Sequence, residues 1–129
     1  MTAGLHHVEI WVGSAEQAAA EWGWLLGELG WQPDGEWAGG FAWRAGATYL
    51  AFTEAPLQAG GHDRRREGLN HLAFHGGSRA DVDRIVGGAA RHGWTPLYAD
   101  RYPHAGGPDH YAGWLESPSG FKAEIVAAP

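Results

Sequence analysis

The chain contains no cysteine. Disulfides and thiolate chemistry are therefore excluded, and a metal held by its side chains would need histidine, aspartate or glutamate. Positive charge is also scarce, with nine Lys and Arg against fifteen Asp and Glu and a formal net charge of −6 at pH 7. Nucleic acid is not expected as a partner, because binding a phosphate backbone needs a basic face. The one basic run, Arg64-Arg65-Arg66, lies in a glycine-rich stretch and reads as a solvated turn, with contact to an anionic substrate as the alternative. No apolar run approaches the roughly 18 residues of a membrane span. The N-terminal MTAGLHHVEIWVG lacks the basic and long apolar regions of a signal peptide. The expectation is a cytoplasmic protein without membrane contact.

What is present suits one globular domain over residues 1–129, with 44% hydrophobic and 19% charged residues. Eight tryptophans are many for this length and serve either as core mass or as the lining of a cavity for a flat or apolar ligand. Trp37, Trp43 and Trp114 are read as core rather than as a ligand platform.

The chain repeats itself. Leu5-His6-His7-Val8 matches Leu69-Asn70-His71-Leu72, and the same offset carries Gly13-Ser14 onto Gly77-Ser78. Gly30-Trp31-Gln32-Pro33 matches Gly93-Trp94-Thr95-Pro96, and the strand after Gly46 resembles the strand after Gly120. Module one is thus 1–57 and module two 68–129, with the break in the polar stretch from Gln58 to Gly68.

Each copy opens with an alternating strand. In the first, Val8, Ile10 and Val12 point to one face, and His7, Glu9 and Trp11 to the other. Ser14 reads as a helix N-cap with Gln17 as its capping-box partner, and Gly30 as the stop. In the second copy Ser78 caps, Val82, Ile85, Val86 and Ala89 form the apolar stripe, and Gly93 ends the helix. Three strands are expected after each helix. They run around Gly30 to Pro33, Glu36 to Arg44 and Thr48 to Thr53, then Trp94 to Asp100, Tyr111 to Glu116 and Phe121 to Val126. Ser117-Pro118-Ser119-Gly120 is a hairpin turn. The fold class is α+β, with βαβββ twice.

His7 and His71 occupy matched positions on the face opposite the aliphatic residues. Glu124, flanked by apolar residues in the last strand, is costly to bury without a cation or hydrogen-bond partner. Two imidazoles and a carboxylate form a set suited to a divalent metal with open positions. Each histidine could instead be a structural residue bonded to a backbone carbonyl.

The phrases LHHVEIWV, LNHLAFHG and SPSGFKAEIVA, with the duplicated order, resemble the vicinal oxygen chelate superfamily of glyoxalases, extradiol dioxygenases and fosfomycin- and bleomycin-resistance proteins. The resemblance implies a cup-shaped mixed sheet around a metal, a homodimer, and a small-molecule substrate or ligand. It implies metal ligands His7, His71 and Glu124, and a divalent ion such as Fe(II), Mn, Zn or Ni. Where the family has a fourth ligand, this chain has Leu50 if aligned on Gly46 and Gly120. Aligned on the terminal Ala-Pro pairs, it has Ala51. Neither can bind a metal, which fits a three-ligand dioxygenase-like arrangement or an unused site.

Glu9 lies on the face of His7 and is a candidate spare ligand or general base. His75 shares the face of His71. The segment Asp100 to His110 is either a loop that closes over the cup or a surface loop. His110 and Tyr111 are the acid/base candidates beside it. The expected function is a metal-dependent glyoxalase- or dioxygenase-type enzyme acting through vicinal oxygens on a small oxygenated molecule, aromatic ones included. The alternative is an antibiotic-sequestering protein of the bleomycin-resistance kind.

Overall fold

Alternation decides the first element. In β1 (His7–Val12) Ile10 and Val12 are buried and Val8 half-buried, while His7, Glu9 and Trp11 are exposed. The structure, a computed structural model, describes residues 1–129 and divides into two units, Met1–Gly61 and His62–Pro129. The division falls inside the glycine-rich stretch between the two repeats.

In the first unit β1 leads to α1 (Ala15–Glu28), capped by Ser14, whose hydroxyl accepts from the Gln17 amide at 3.1 Å. The reciprocal half of the expected capping box is missing. The Gln17 side chain donates instead to Glu21 at 2.9 Å, and Glu54 of the last strand accepts from the Ala15 amide at 3.0 Å. Gly30 ends the helix at φ 83°, where L residues are strained.

The strands that follow are β2 (Gln32–Trp37), β3 (Gly40–Ala45) and β4 (Thr48–Glu54). The boundary between β2 and β3 differs from expectation. Asp34-Gly35, a turn signal in sequence, falls at a register shift inside β2, so Glu36 and Trp37 still pair with β3 and the turn comes at Ala38-Gly39. The sheet order is β1-β4-β3-β2, with β1 and β4 parallel. Ala18, Trp22, Leu25 and Leu26 of α1 are buried, and Trp22 meets Phe52 of β4, itself stacked on Phe41. Each such side chain contributes about 1.5–3 kcal/mol by leaving water.

The second unit repeats this with β5 (Leu72–His75), α2 (Arg79–Gly88), β6 (Thr95–Leu97), β7 (Ala112–Glu116) and β8 (Lys122–Val126), ordered β5-β8-β7-β6. Ser78 and Asp81 make a complete capping box. Val82 and Ile85 pack inward with Phe74, Leu115, Ala123 and Ile125. The strand expected from Trp94 to Asp100 stops at Leu97, because Tyr98 takes a left-handed conformation (φ 57°, ψ 36°) and a 3-10 turn follows at Ala99–Arg101.

Of the three tryptophans read as core, none is fully buried, and Trp37 is 45% exposed. The core is built on Trp22 and Trp94 instead. Trp22 on α1 and Trp94 after the second helix reach the sheet-helix interior. Trp37 stands instead on the edge strand β2, Trp114 on the face of Glu124, and Trp43 beside Gly23 of α1 without being enclosed.

Candidate functional site

Strand register fixes which side chains share the open face of each unit. In the first unit His7 pairs with Tyr49, Glu9 with Ala51, and Ala51 in turn with Ala42. His7 stacks on Tyr49 at 4.7 Å with the rings 4° from parallel, and its Nδ1 lies 2.9 Å from Nδ1 of His6. Glu9 accepts from the Trp11 indole at 3.0 Å and the Thr53 hydroxyl at 3.4 Å. Arg44 lies over Tyr49 and donates to Asp34 at 2.9 Å. A concavity of about 420 Å³ opens there, lined by His7, Glu9, Trp37, Arg44, Tyr49 and Ala51 among others.

The second unit assembles a tighter cluster. Leu72 pairs with Ala123 and Ala73 with Glu124, while Glu124 also faces Trp114 of β7. Glu124 is only 5% exposed. Its Oε1 lies 3.2 Å from His71 Nε2, and its Oε2 accepts a short hydrogen bond from His110 Nε2. The parallel registers also settle the missing fourth position. Glu9 pairs with Ala51 as Ala73 pairs with Glu124, so Ala51, not Leu50, is the counterpart of Glu124.

Tyr111 stands elsewhere. His110 and Tyr111 precede β7, and successive residues of a strand point to opposite faces. His110 therefore joins the face of Glu124. The Tyr111 hydroxyl donates to Asp83 of α2 at 2.6 Å, beside a second, short bond from Tyr102 to the same oxygen. Those bonds hold the Asp83 carboxyl below the ordinary range, with the Tyr102 bond the larger cause. Desolvation, then Asp83, pushes the Tyr102 phenol up. Asp83, then desolvation, pushes Tyr111 up. The segment between Tyr98 and His110 is pinned by these bonds and by Ala112 N–H to Pro103 O at 3.0 Å. His75 is exposed at the end of β5. Arg64 departs from the solvated-turn expectation by pairing with Glu116 at 2.9 Å, whereas Arg65 and Arg66 are 82% and 83% exposed.

The environment of His71 bears on a metal. Asn70 donates its amide to Arg64 O at 3.0 Å, which leaves its Oδ1 to accept from His71 Nδ1 at 2.7 Å. With the proton on Nδ1, the Nε2 lone pair faces a carboxylate oxygen. That approach is repulsive unless a cation, either a proton or a metal ion, lies between them. The chemistry of this donor pair therefore fits a divalent ion. No three His, Asp or Glu side chains form a ready metal cage.

Sequence reasoning did not single out Asn70, Tyr98 or Lys122. For Asn70 the signal was its match to His6, since in both copies the preceding side chain engages Nδ1 of the first-strand histidine.

Comparison with known proteins places these features in context. Residues 6–113 match the family model described as the Glyoxalase/Bleomycin resistance protein/Dioxygenase superfamily. The uncharacterized protein YqjT of Bacillus subtilis (strain 168) is 40% identical over 125 residues, spanning 95% of this chain and 98% of that protein. A solved structure of a glyoxalase candidate from Bacillus halodurans is 47% identical with a TM-score of 0.91, covering 96% of this chain and 95% of that one. Lactoylglutathione lyase from Agrobacterium tumefaciens shares the fold at a TM-score of 0.67 and 15% identity, over 98% of this chain and 95% of its own.

Proposed function

The chain belongs to the Glyoxalase/Bleomycin resistance protein/Dioxygenase superfamily, and we propose that it is a metal-dependent enzyme acting on a small oxygenated molecule. The observation that carries this reading is the His71–Glu124 contact, in which Asn70 orients the imidazole so that Nε2 and a buried carboxylate oxygen need a cation between them. His71 Nε2 and Glu124 are the donors of the second unit. The sequence repeat supports His7 as a further donor.

A divalent ion bound there would supply Lewis-acid polarisation of ligand oxygens. The chain's own residues do the rest. Glu124 is fixed in β8 between β5 and β7, so its carboxylate cannot swing away from the face. His110 donates from Nε2 to Glu124 Oε2, which leaves its Nδ1 as the atom to take a proton from a ligand oxygen and return it. Glu9 would be a base only for a ligand in the first unit's concavity. Tyr111, engaged by Asp83, supports the segment that carries His110. Homodimer assembly is part of the proposal, checked by light scattering.

The test is metal analysis of protein purified without chelator, beside His71→Ala and Glu124→Ala. About one divalent ion per chain, lost in both variants, supports the reading. No metal after anaerobic iron(II) reconstitution, with both variants unchanged, overturns it.

A second reading, stoichiometric binding without turnover, is favoured by the first unit's concavity. There aromatic rings surround Ala51, where the second unit carries Glu124.

A further inference from the structure

Lys122 is the only lysine of the chain, and it is 8% exposed. A buried ammonium is ordinarily paired with a carboxylate, because an unpaired charge away from water is costly. The carboxylates near it are occupied elsewhere. Its cross-strand neighbour Glu116 bonds to Arg64 at 2.9 Å. Glu124, two residues along the same strand and on the same face, is taken by His71 and His110. What Lys122 does have is the Tyr98 hydroxyl, 2.9 Å from Nζ, and two ring faces. Nζ lies 4.8 Å from the Trp114 centroid and 5.0 Å from that of Tyr98.

We propose that Lys122 and Tyr98 form an anion-binding site of the second unit, which takes an anionic oxygen, carboxylate or enolate, of a small organic ligand. The ligand supplies the counter-ion that the fold withholds.

Three observations bear this out. The Tyr98 oxygen accepts from Lys122, so its own O–H proton remains to be donated to a ligand oxygen. The Arg101 guanidinium lies 5.0 Å from the same ring, which makes this a positive locale on a chain of net charge −6. The Trp114 indole N–H is enclosed without an acceptor, a further polar group left unsatisfied beside the ammonium. The Lys122 ammonium also holds the Tyr98 phenol below its ordinary range. Trp114 connects this site to the other cluster, since it faces Glu124 across the strands and meets the His71 ring edge-on at 5.1 Å. An oxygen on Lys122 would thus belong to a ligand lying on the face of Glu124.

The proposal rests on the small-molecule reading above, but not on the metal. Its probe is benzoate, against neutral benzamide of the same shape. Because there is one lysine, protein labelled with carbon-13 lysine gives one lysine spin system, that of Lys122. Benzoate is expected to shift the Lys122 side-chain resonances and, by calorimetry, to bind about tenfold or more tighter than benzamide. Lys122→Met should erase that preference while leaving benzamide binding unchanged, and Tyr98→Phe should reduce it severalfold. Equal binding of the two probes, no lysine shift with benzoate, or a preference that survives in Lys122→Met overturns the proposal. The wild-type shift and Tyr98→Phe decide the matter even where Lys122→Met does not fold. Running Glu124→Ala in parallel separates the two readings. Metal lost with the benzoate preference kept supports an anion site independent of the metal. A wild type without metal but with the preference overturns the metal reading alone.

Discussion

Ala51 stands in the first unit where Glu124 stands in the second: each is on the last strand, beside the same position of the first strand. The first unit carries its carboxylate one strand over, on Glu9, the register partner of Ala51. A duplicated scaffold has thus been furnished unequally. One face keeps a buried carboxylate between two imidazoles, and the other keeps an open concavity.

This asymmetry makes Ala51→Glu informative. Ala51 is 6% exposed and its neighbour across the ladder is already an acid. The added carboxylate should destabilise the fold by about 2–4 kcal/mol through burial and like-charge repulsion. Glu9→Ala in the same chain should restore part of the loss. Denaturant unfolding of the two single variants and the double variant measures the coupling.

Asn70→Ala should act on His71 without dismantling the fold. Removing the acceptor from Nδ1 frees the tautomer and the ring orientation. Metal affinity is expected to fall about 10- to 100-fold, as for other residues that orient a ligand from behind. Competition against a chromophoric chelator reads the affinity, and unchanged affinity would show that Asn70 does not set the tautomer.

Asp83 links α2 to the segment before β7, and its carboxyl is held below the ordinary carboxylate range by the Tyr102 and then the Tyr111 hydroxyl. A depressed carboxyl contributes stability above its unfolded pKa and loses it as the pH falls through the folded one. Asp83→Asn should therefore melt below wild type at pH 7, and the gap should begin to narrow below about pH 4 and close only as the pH falls through the lowered folded value. A gap that stays constant across that range would mean that the charge of Asp83 plays no part.

The two helix caps should differ in cost. Ser78→Ala breaks both halves of a capping box and should cost about 1–2 kcal/mol. Ser14→Ala should cost less, about 0.5–1 kcal/mol, because Glu54 already accepts from the neighbouring Ala15 amide. Urea denaturation of the two variants compares them directly.

Much of this was legible in the sequence, for local reasons. A period of two in His7 to Val12 placed His7 and Glu9 opposite the aliphatic face. Ser14, Ser78, Gly30 and Gly93 marked the helix ends through cap and left-handed backbone chemistry. The repeat ordered both modules and brought His7 and His71 forward as a matched pair, while the apolar flanks of Glu124 marked that carboxylate. Boundaries were lost where one signal has two structural outcomes. Asp34-Gly35 is chemically a turn, but it became a bulge because the strand beyond it had a partner in β3.

What the sequence determined by itself is therefore the periodicity, the capping and the duplication, since these depend on neighbours a few residues apart. Tertiary structure alone decided the rest. It selected Ala51 over Leu50, sent His110 to Glu124 and Tyr111 to Asp83, and left Lys122 buried with a phenol in place of a carboxylate. Each of these depends on strand register and on competition among distant side chains for the same partner. Neither is encoded in local spacing.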